Sequence, residues 1–207
     1  MFNESFIIKE LESNFQKRNI EVLWFDSFEE IRLFILEHIP NDATIGIGHS
    51  KTLQDICITK ALMNRGNTVY DKELGTTHEE VKELKRKSLL TDYYISGSNA
   101  VSIDGRIVNI DHSGNRVAAL TYGPDKVFIV IGKNKITKTL DEALKRSKNI
   151  AAPLNAKRAG FNPPCVSLGH CIDCLSPERV CNNISIIERQ NIKGRLTLLI
   201  ADEEAGF

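Results

Sequence analysis

The chain has 207 residues, with 27 lysines and arginines against 27 aspartates and glutamates, so its formal net charge at pH 7 is zero. This balance gives no general attraction to nucleic acid phosphates or to an anionic membrane, and it argues against both as main partners. No stretch is apolar for long enough to span a bilayer, and residues 1–19 carry acids and amides where a secretion signal has basic residues. The sequence predicts a cytoplasmic protein that forms one domain over residues 1–207.

An N-terminal segment, residues 1–40, is predicted to be helical on both sides of a short strand, IEVLWF. Apolar side chains recur at helical spacing before this strand, at Phe2, Phe6, Ile7, Leu11 and Phe15. Helical spacing resumes after the strand, from Phe28, and stops before Pro40. We interpret this segment as scaffold.

From residue 44 onward, strands and helices alternate. The predicted strands are the apolar runs at residues 44–47, 68–70, 93–96, 127–132 and 195–201, and the last is expected to close the sheet. One helix is expected to run to about Arg65, and another starts with Thr77 and Glu80, which have the spacing of a capping box. This alternation predicts an α/β fold with three α/β/α layers around an open, mostly parallel sheet. Asp104 and Gly105 within VSIDGRIVNID predict a small antiparallel hairpin beside it.

A glycine-rich loop, IGIGHSKTL at residues 45–53, joins a predicted strand directly to a helix. Glycines let the backbone approach a ligand, and backbone amides and hydroxyls can donate hydrogen bonds to a phosphate or carboxylate. The candidate binding residues in this loop are Gly46, Gly48, Ser50 and Thr52. A glycine turn capped by Ser50, with no ligand, explains the pattern equally well.

Polar residues also follow three other predicted strands, and the loops at the carboxyl ends of parallel strands face one shared crevice. The candidates there are Ser98, Asn99, Asp111, Asn115, Arg116, Asn134 and Lys135. Arg116 and Lys135 could hold an acidic substrate, and Asp111 is the candidate catalytic base. Taken singly, each residue is also typical of a turn or a solvated surface charge. His49 and His112 lie in the same loops.

Four cysteines lie close together in the predicted loop 163–182, and they are Cys165, Cys171, Cys174 and Cys181. A reducing location disfavours disulfides, so this clustering predicts a metal site in which four thiolates ligate zinc or a 4Fe-4S iron–sulfur cluster. The spacing does not choose between these two cofactors. Cys57, on the helix after the glycine loop, is predicted to be a core residue.

Several segments in fixed order resemble the LUD family of lactate utilisation proteins, formerly a domain of unknown function. They are GIGHSKTL, SGSNAVSIDGRIVNIDHSGNRVAALTYGP, IGKNKIT, AAPLNAKR, the four-cysteine segment and IADEEAGF. The resemblance implies a fold like that of the sugar-phosphate isomerases and coenzyme A transferases. It also implies a role in bacterial lactate oxidation beside iron–sulfur partner subunits, and a site built from the candidate loop residues above.

Three functional hypotheses remain open. The first is a metal-binding or iron–sulfur component of an oxidoreductase that acts on lactate or a related small hydroxy acid, with a small anionic substrate in the crevice. The second is a sugar-phosphate or acyl-CoA binding enzyme with a structural metal. The third is a regulatory protein that senses metal or redox state. The sequence leaves open whether the chain is active alone, as a subunit or as a homo-oligomer.

Overall fold

The computed structural model describes residues 4–207. Its strands are β1 (Glu21–Phe25), β2 (Thr44–Ile47), β3 (Thr68–Asp71), β4 (Tyr93–Gly97), β5 (Ala100–Ser102), β6 (Ile107–Asp111), β7 (Lys126–Gly132), β8 (Ile136–Thr137), β9 (Asn183–Ile187) and β10 (Leu196–Ala201). Its α-helices are α1 (Glu4–Gln16), α2 (Phe28–His38), α3 (Lys51–Asp55), α4 (Ile58–Asn64), α5 (His78–Lys87), α6 (Asn115–Thr121), α7 (Leu140–Arg146), α8 (Ala152–Arg158) and α9 (Pro164–Leu168). A π-helical turn at Ser147–Ala151 joins α7 to α8.

The main sheet has six strands in the order β1-β10-β7-β4-β2-β3, and every neighbouring pair is parallel. The predicted parallel sheet is therefore confirmed. The prediction that the last strand closes the sheet is wrong, because β10 lies between β1 and β7. All six residues of β10 are buried, as expected of an apolar strand with neighbours on both sides and cover on both faces.

Two apolar clusters cover the two faces of this sheet, which confirms the three-layer prediction. Leu198 packs with Leu11 and Phe15 of α1 on one face, whereas its neighbour Leu199 packs with Ile31 of α2 on the other. Successive residues of one strand thus pack into the apolar clusters on opposite faces of the sheet. Of the predicted helical stripe, Leu11 and Phe15 are fully buried, Phe6 is 61% exposed, and Phe2 lies outside the described residues. The predicted capping box at Thr77 is present.

A second sheet of four strands, in the order β8-β5-β6-β9, packs beside the first. The predicted hairpin is its centre: β5 and β6 are antiparallel, and Gly105 adopts a φ of +95° at the turn. Strand β9, at Asn183–Ile187, lies where only a long connection was expected. It pairs with β6 and ties the end of the cysteine segment to the sheet.

The helix predicted to run from the glycine loop to Arg65 is two short helices, because Cys57 interrupts it with a φ of +51°. The prediction that Cys57 is a core residue is also wrong. Its left-handed backbone ends one helical turn and starts the next, and its side chain is exposed. Within residues 4–207, no helix combines the length and apolar character that crossing a membrane requires.

Candidate functional site

A polar cavity of about 510 Å³ lies at the carboxyl ends of the parallel strands. Its wall is formed by the residues that directly follow β2, β3, β4, β6 and β7, together with α8 and the last residues of the chain. The loops after β2, β3, β4 and β7 meet because the parallel strands of one sheet end at the same edge. The loop after β6 reaches the cavity from the second sheet.

The structure places seven of the predicted residues at this cavity wall: Ser50, Ser98, Asn99, Asp111, Asn115, Arg116 and Lys135. His49 and His112 also line the cavity. Four predicted residues lie elsewhere: Gly46, Gly48, Thr52 and Asn134. Binding of a substrate by the seven residues stays a prediction.

The two glycines of the first loop serve close packing between strands. A Cβ atom at Gly46 would lie 2.6 Å from the Ser88 carbonyl oxygen, and one at Gly48 would lie 2.6 Å from Ser96 Oγ. Both distances are too short for a side chain. These glycines therefore let β2 and the following turn lie against their neighbours, and the ligand approach expected from the sequence is not what requires them.

Arg116 is locked into the protein. Its guanidinium donates hydrogen bonds to the Gly97 carbonyl at 3.1 Å and to Asn109 Oδ1 at 2.9 Å. It also donates to Asn99 Oδ1 at 3.0 Å and to the Ile110 carbonyl at 2.6 Å. Four protein oxygens thus occupy most of its N–H groups. Arg116 fixes the loops after β4 and β6 and adds positive charge, rather than offering a free bidentate grip.

Asp111 is held at the same junction. Its Oδ2 accepts a hydrogen bond from the Arg116 backbone amide at 3.1 Å, and its carbonyl accepts one from the Asn182 amide, also at 3.1 Å. The carboxylate therefore has a fixed orientation at the cavity wall, as a base or a hydroxyl-orienting group requires.

Lys135 is the most unusual cation of the cavity, because it is only 3% exposed. Its Nζ donates to Thr52 Oγ1 at 3.2 Å, and within residues 4–207 no carboxylate forms an ion pair with it. Burial, followed by the nearby charges of Arg146 and Arg116, lowers the pKa of Lys135 to about 7. A large share of this amine is therefore neutral near physiological pH.

His49 is held between an acid and a base. Its Nδ1 lies 3.1 Å from Glu73 Oε1, and Arg158 contacts its Nε2. Burial, followed by the charges of Lys72, Arg158 and Arg116, lowers the pKa of His49 to about 3. The imidazole is thus neutral, with Nδ1 donating to Glu73 and Nε2 accepting from Arg158.

The sequence analysis missed the cations that complete the cavity. Lys72 and Glu73 follow β3, and Lys85 lies on α5 with its Nζ 3.2 Å from Ser113 Oγ. Arg158 lies on α8 and donates to Asn155 Oδ1 at 2.7 Å. The signal for this last pair was AAPLNAKR, in which Asn155 and Arg158 are three residues apart and share a helix face. Burial lowers the pKa of Lys72 and also that of Arg158.

Arg158 also has a spare donor. Its Nε is buried and has no hydrogen-bond partner among the atoms that the structure describes. A buried polar group without a partner is costly and calls for an explanation. Because this Nε has almost no accessible surface, an anion in the cavity would reach it only if the Arg158 side chain moved.

The four clustered cysteines line one small cavity of about 30 Å³. All of them are free thiols. Burial, followed by the charges of the other three cysteines, raises the pKa of Cys165. Among the described residues, however, no group of three or more His, Cys, Asp or Glu side chains is arranged so that it could hold a metal ion. The sulfurs share a cavity but are not drawn in to coordination distances.

Hydrogen bonds organise this thiol cavity. The Asp173 amide and Arg179 Nη2 each lie 3.4 Å from a cysteine sulfur, those of Cys171 and Cys181 respectively. Arg179 also donates to the carbonyls of Cys174 and Cys181. N–H donors around sulfur are what stabilises thiolates in metal and iron–sulfur sites.

The thiol cavity and the polar cavity share a wall. Val180, which is buried, lines both of them. The π-helical turn contributes on both sides, with Ala151 at the polar cavity and Lys148 at the thiol cavity. The first functional hypothesis from the sequence places a metal cluster next to an anion pocket, and the two cavities are neighbours.

Comparisons with known proteins agree with this architecture. The model of the LUD domain family matches residues 8–201. Among solved structures, the chain is similar to a DUF162 family protein from Deinococcus radiodurans, with a TM-score of 0.53 and 16% identity over 97% of this chain and 98% of that chain. It is also similar to a ribose 5-phosphate isomerase A from Methanocaldococcus jannaschii, with a TM-score of 0.38 and 16% identity over 56% of this chain and 58% of that chain. No curated protein sequence matches the chain.

Proposed function

Because the chain belongs to the LUD domain family of lactate-utilisation-type proteins, we propose that it serves the oxidation of lactate or a related small hydroxy acid. The observation that carries the proposal is the charge of the polar cavity. Six basic side chains line it, Lys51, Lys72, Lys85, Arg116, Lys135 and Arg158, against two acidic side chains, Glu73 and Asp111. Of the six, Lys135 is partly neutral near pH 7. Such a surplus inside a cavity favours a small carboxylate or phosphate.

The cavity residues divide into three tasks in this proposal. Lys72, Lys85 and Arg158 would bind the carboxylate of the substrate. Asp111 would accept the proton of its hydroxyl group. Arg116, which bonds to the loops after β4 and β6, would keep Asp111 in position.

We propose further that the four cysteines hold a metal. The supporting features are four soft sulfur donors around one cavity, N–H groups directed at two of the sulfurs, and the absence of a disulfide among the described residues. Zinc would hold the loop in place, whereas an iron–sulfur cluster would accept electrons and pass them to iron–sulfur partner subunits.

Binding of anions tests the first part of the proposal. Lactate and pyruvate should raise the melting temperature, because a ligand that binds only the folded state stabilises it. In Lys85→Met, the ligand concentration that gives the same melting-temperature shift should be about tenfold higher. Lys82→Met is the matched control, because Lys82 is an exposed lysine of the same helix that does not line the cavity, and it should leave the shift unchanged. An equal effect of both substitutions would argue against the cavity as the binding site.

Metal analysis tests the second part. Anaerobically purified protein should contain either about one zinc per chain or iron with inorganic sulfide. A protein with neither metal under these conditions would remove the metal site from the proposal, and zinc alone would remove its electron-transfer role.

A second candidate function rests on the size of the cavity. A volume of about 510 Å³ is far larger than a three-carbon acid needs, and lysine is a common phosphate-binding residue. A sugar phosphate or an acyl-CoA would therefore fit the same cations. A melting-temperature shift with these esters, and none with lactate or pyruvate, would favour this function over the first.

A further inference from the structure

Lys135 has an environment that anion binding alone does not require. An ammonium group that only attracts an anion works best when it is charged, and Lys72 and Lys85 of the same cavity are more exposed than Lys135. Lys135 is only 3% exposed, and its Nζ lies beside the hydroxyl of Thr52, which is itself fully buried. Buried lysines without an acidic partner are rare in proteins because the charged form is costly.

Two arginines surround this amine and no acid neutralises it among the described residues. Arg146 donates to the Asn134 carbonyl at 3.0 Å and to the Asn99 carbonyl at 2.6 Å, which joins the two loops on either side of Lys135. Arg116 also lines the cavity and is fixed by its own hydrogen bonds. These positive charges disfavour protonation of the Lys135 amine.

The chain closes over the amine at Gly206. A Cβ atom there would lie 2.7 Å from Thr52 Oγ1 and 3.2 Å from Lys135 Nζ, so only glycine leaves room for both groups. The segment is fastened by the Glu203 carbonyl, which accepts from the Lys133 amide at 3.0 Å, and by Ala205, whose amide donates to Asn134 Oδ1 at 3.4 Å. The amine is thereby kept away from water on one side while it lines the polar cavity on the other.

We propose that Lys135 Nζ is a nucleophile that forms an imine with the carbonyl carbon of a small 2-oxo acid in the polar cavity, a role that rests on the proposed function. A desolvated amine next to fixed cations is the arrangement that activates lysine for attack on carbonyl groups. The substrate class is the 2-oxo acid, which is the oxidation product of a 2-hydroxy acid. Its carboxylate would be held by the cavity cations, as proposed for the hydroxy acid.

The step is balanced without any oxidant or reductant. The neutral amine attacks the carbonyl carbon, and a C–N bond forms while the carbonyl π bond breaks. Both amine protons pass to the former carbonyl oxygen, which leaves as water, and a C=N bond remains. Addition of water reverses the step and releases the 2-oxo acid.

Borohydride trapping tests this proposal, with pyruvate as the probe. Folded wild-type protein is incubated with pyruvate and sodium borohydride, and intact mass and peptide mapping locate the reduced adduct. We expect one adduct per chain, at Lys135, and none when lactate replaces pyruvate, since lactate has no carbonyl carbon at this position. Because wild-type protein is used, the result does not depend on whether a variant folds.

Two variants serve as controls. Lys135→Arg keeps the positive charge but cannot form an imine, so it should lose the adduct. Lys82→Met, which changes an exposed lysine of α5 that does not line the cavity, should still give the adduct at Lys135.

The outcomes separate this inference from the proposed function. If pyruvate raises the melting temperature but no adduct forms, or if the adduct maps to another lysine, then the nucleophile is not Lys135 and the binding function stands. If pyruvate neither binds nor is trapped, both proposals fail.

Discussion

The polar cavity and the thiol cavity share Val180 but are held together by different means. The polar cavity lies at the ends of buried parallel strands. A single side chain there, Arg116, joins the loops after β4 and β6 through four hydrogen bonds. The thiol cavity lies in a segment with little regular structure, where Arg179 bonds mainly to backbone carbonyls and one sulfur.

This difference separates a preorganised site from one whose stability depends on a ligand. Side chains fixed by internal hydrogen bonds stay in place whether or not a substrate is bound. Four sulfurs on an irregular segment gain their fixed positions mainly from the metal that they bind, because metal binding contributes directly to folding. Substitutions in the two cavities should therefore differ in what they change.

The largest expected effect is that of Arg116→Met. The substitution removes the Arg116 donor from four oxygens. The Gly97 carbonyl and Asn99 Oδ1 keep a second donor, from Ser96 Oγ and the Ile110 amide, but Oδ1 of the fully buried Asn109 loses the donor shown for it. Each unsatisfied buried acceptor costs about 1–3 kcal/mol. We expect the free energy of unfolding in urea to fall by at least about 3 kcal/mol. Arg158→Met is the matched control, since it removes a cavity cation whose contacts are the side chains of His49 and Asn155.

Arg158→Met should cost less stability than Arg116→Met but should weaken anion binding about tenfold or more. If Arg116→Met and the wild-type protein have the same urea midpoint of unfolding, Arg116 does not preorganise the polar cavity. The contrast between the two cavities then fails.

The next effect concerns the thiol cavity. Replacing Cys171 and Cys174 by serine should abolish metal binding and lower stability by about 3 kcal/mol when free metal exceeds its dissociation constant a hundredfold. A chelator should do the same to the wild-type protein. Cys57→Ser is the control, because Cys57 is exposed and does not line the thiol cavity. An identical metal content in both variants would mean that the metal is bound elsewhere.

These two sites also show what the sequence could predict. The alternation of strands and helices is a local pattern, so the parallel sheet and the convergence of its loops followed from it. The position of β10 between β1 and β7 did not, because the order of strands is set by contacts between distant segments. Lys72 and Arg158 were missed for the same reason, since they reach the cavity from different elements. Cys57 was misplaced because nothing in the sequence marks its left-handed backbone.

Lys135→Met should stabilise the protein, in contrast to Arg116→Met. The pKa of Lys135 is lowered from 10.5 to about 7, so burying the charged form destabilises the folded state. Between these two values the unfolded state binds more protons, and the stability of the wild-type protein rises with pH in this window. A tenfold change in a proton-binding constant corresponds to about 1.4 kcal/mol, so the variant should be more stable than the wild type by roughly a few kcal/mol at pH 6.

The gain from Lys135→Met should shrink as the pH rises from 7 towards 10.5, because deprotonation removes the cost in the wild-type protein. Urea unfolding of both proteins at pH 6 and pH 10 measures this. A variant that is less stable than the wild type at pH 6 would show that Lys135 is a structural residue, and the idea of a site that sacrifices stability for chemistry would have to be abandoned.

The smallest expected effect is that of Val180→Ala on the shared wall. Removing two buried carbons should lower the free energy of unfolding by about 1 kcal/mol. Because Val180 lines both cavities, the substitution should also change two further quantities: the rate at which iodoacetamide modifies the clustered cysteines, and the affinity for pyruvate. Val127→Ala, in the core of β7, is the matched control and should cost stability without changing either quantity. If Val180→Ala changes thiol reactivity and leaves pyruvate binding as it was, the two cavities are neighbours that act independently, and the metal serves the loop rather than the substrate.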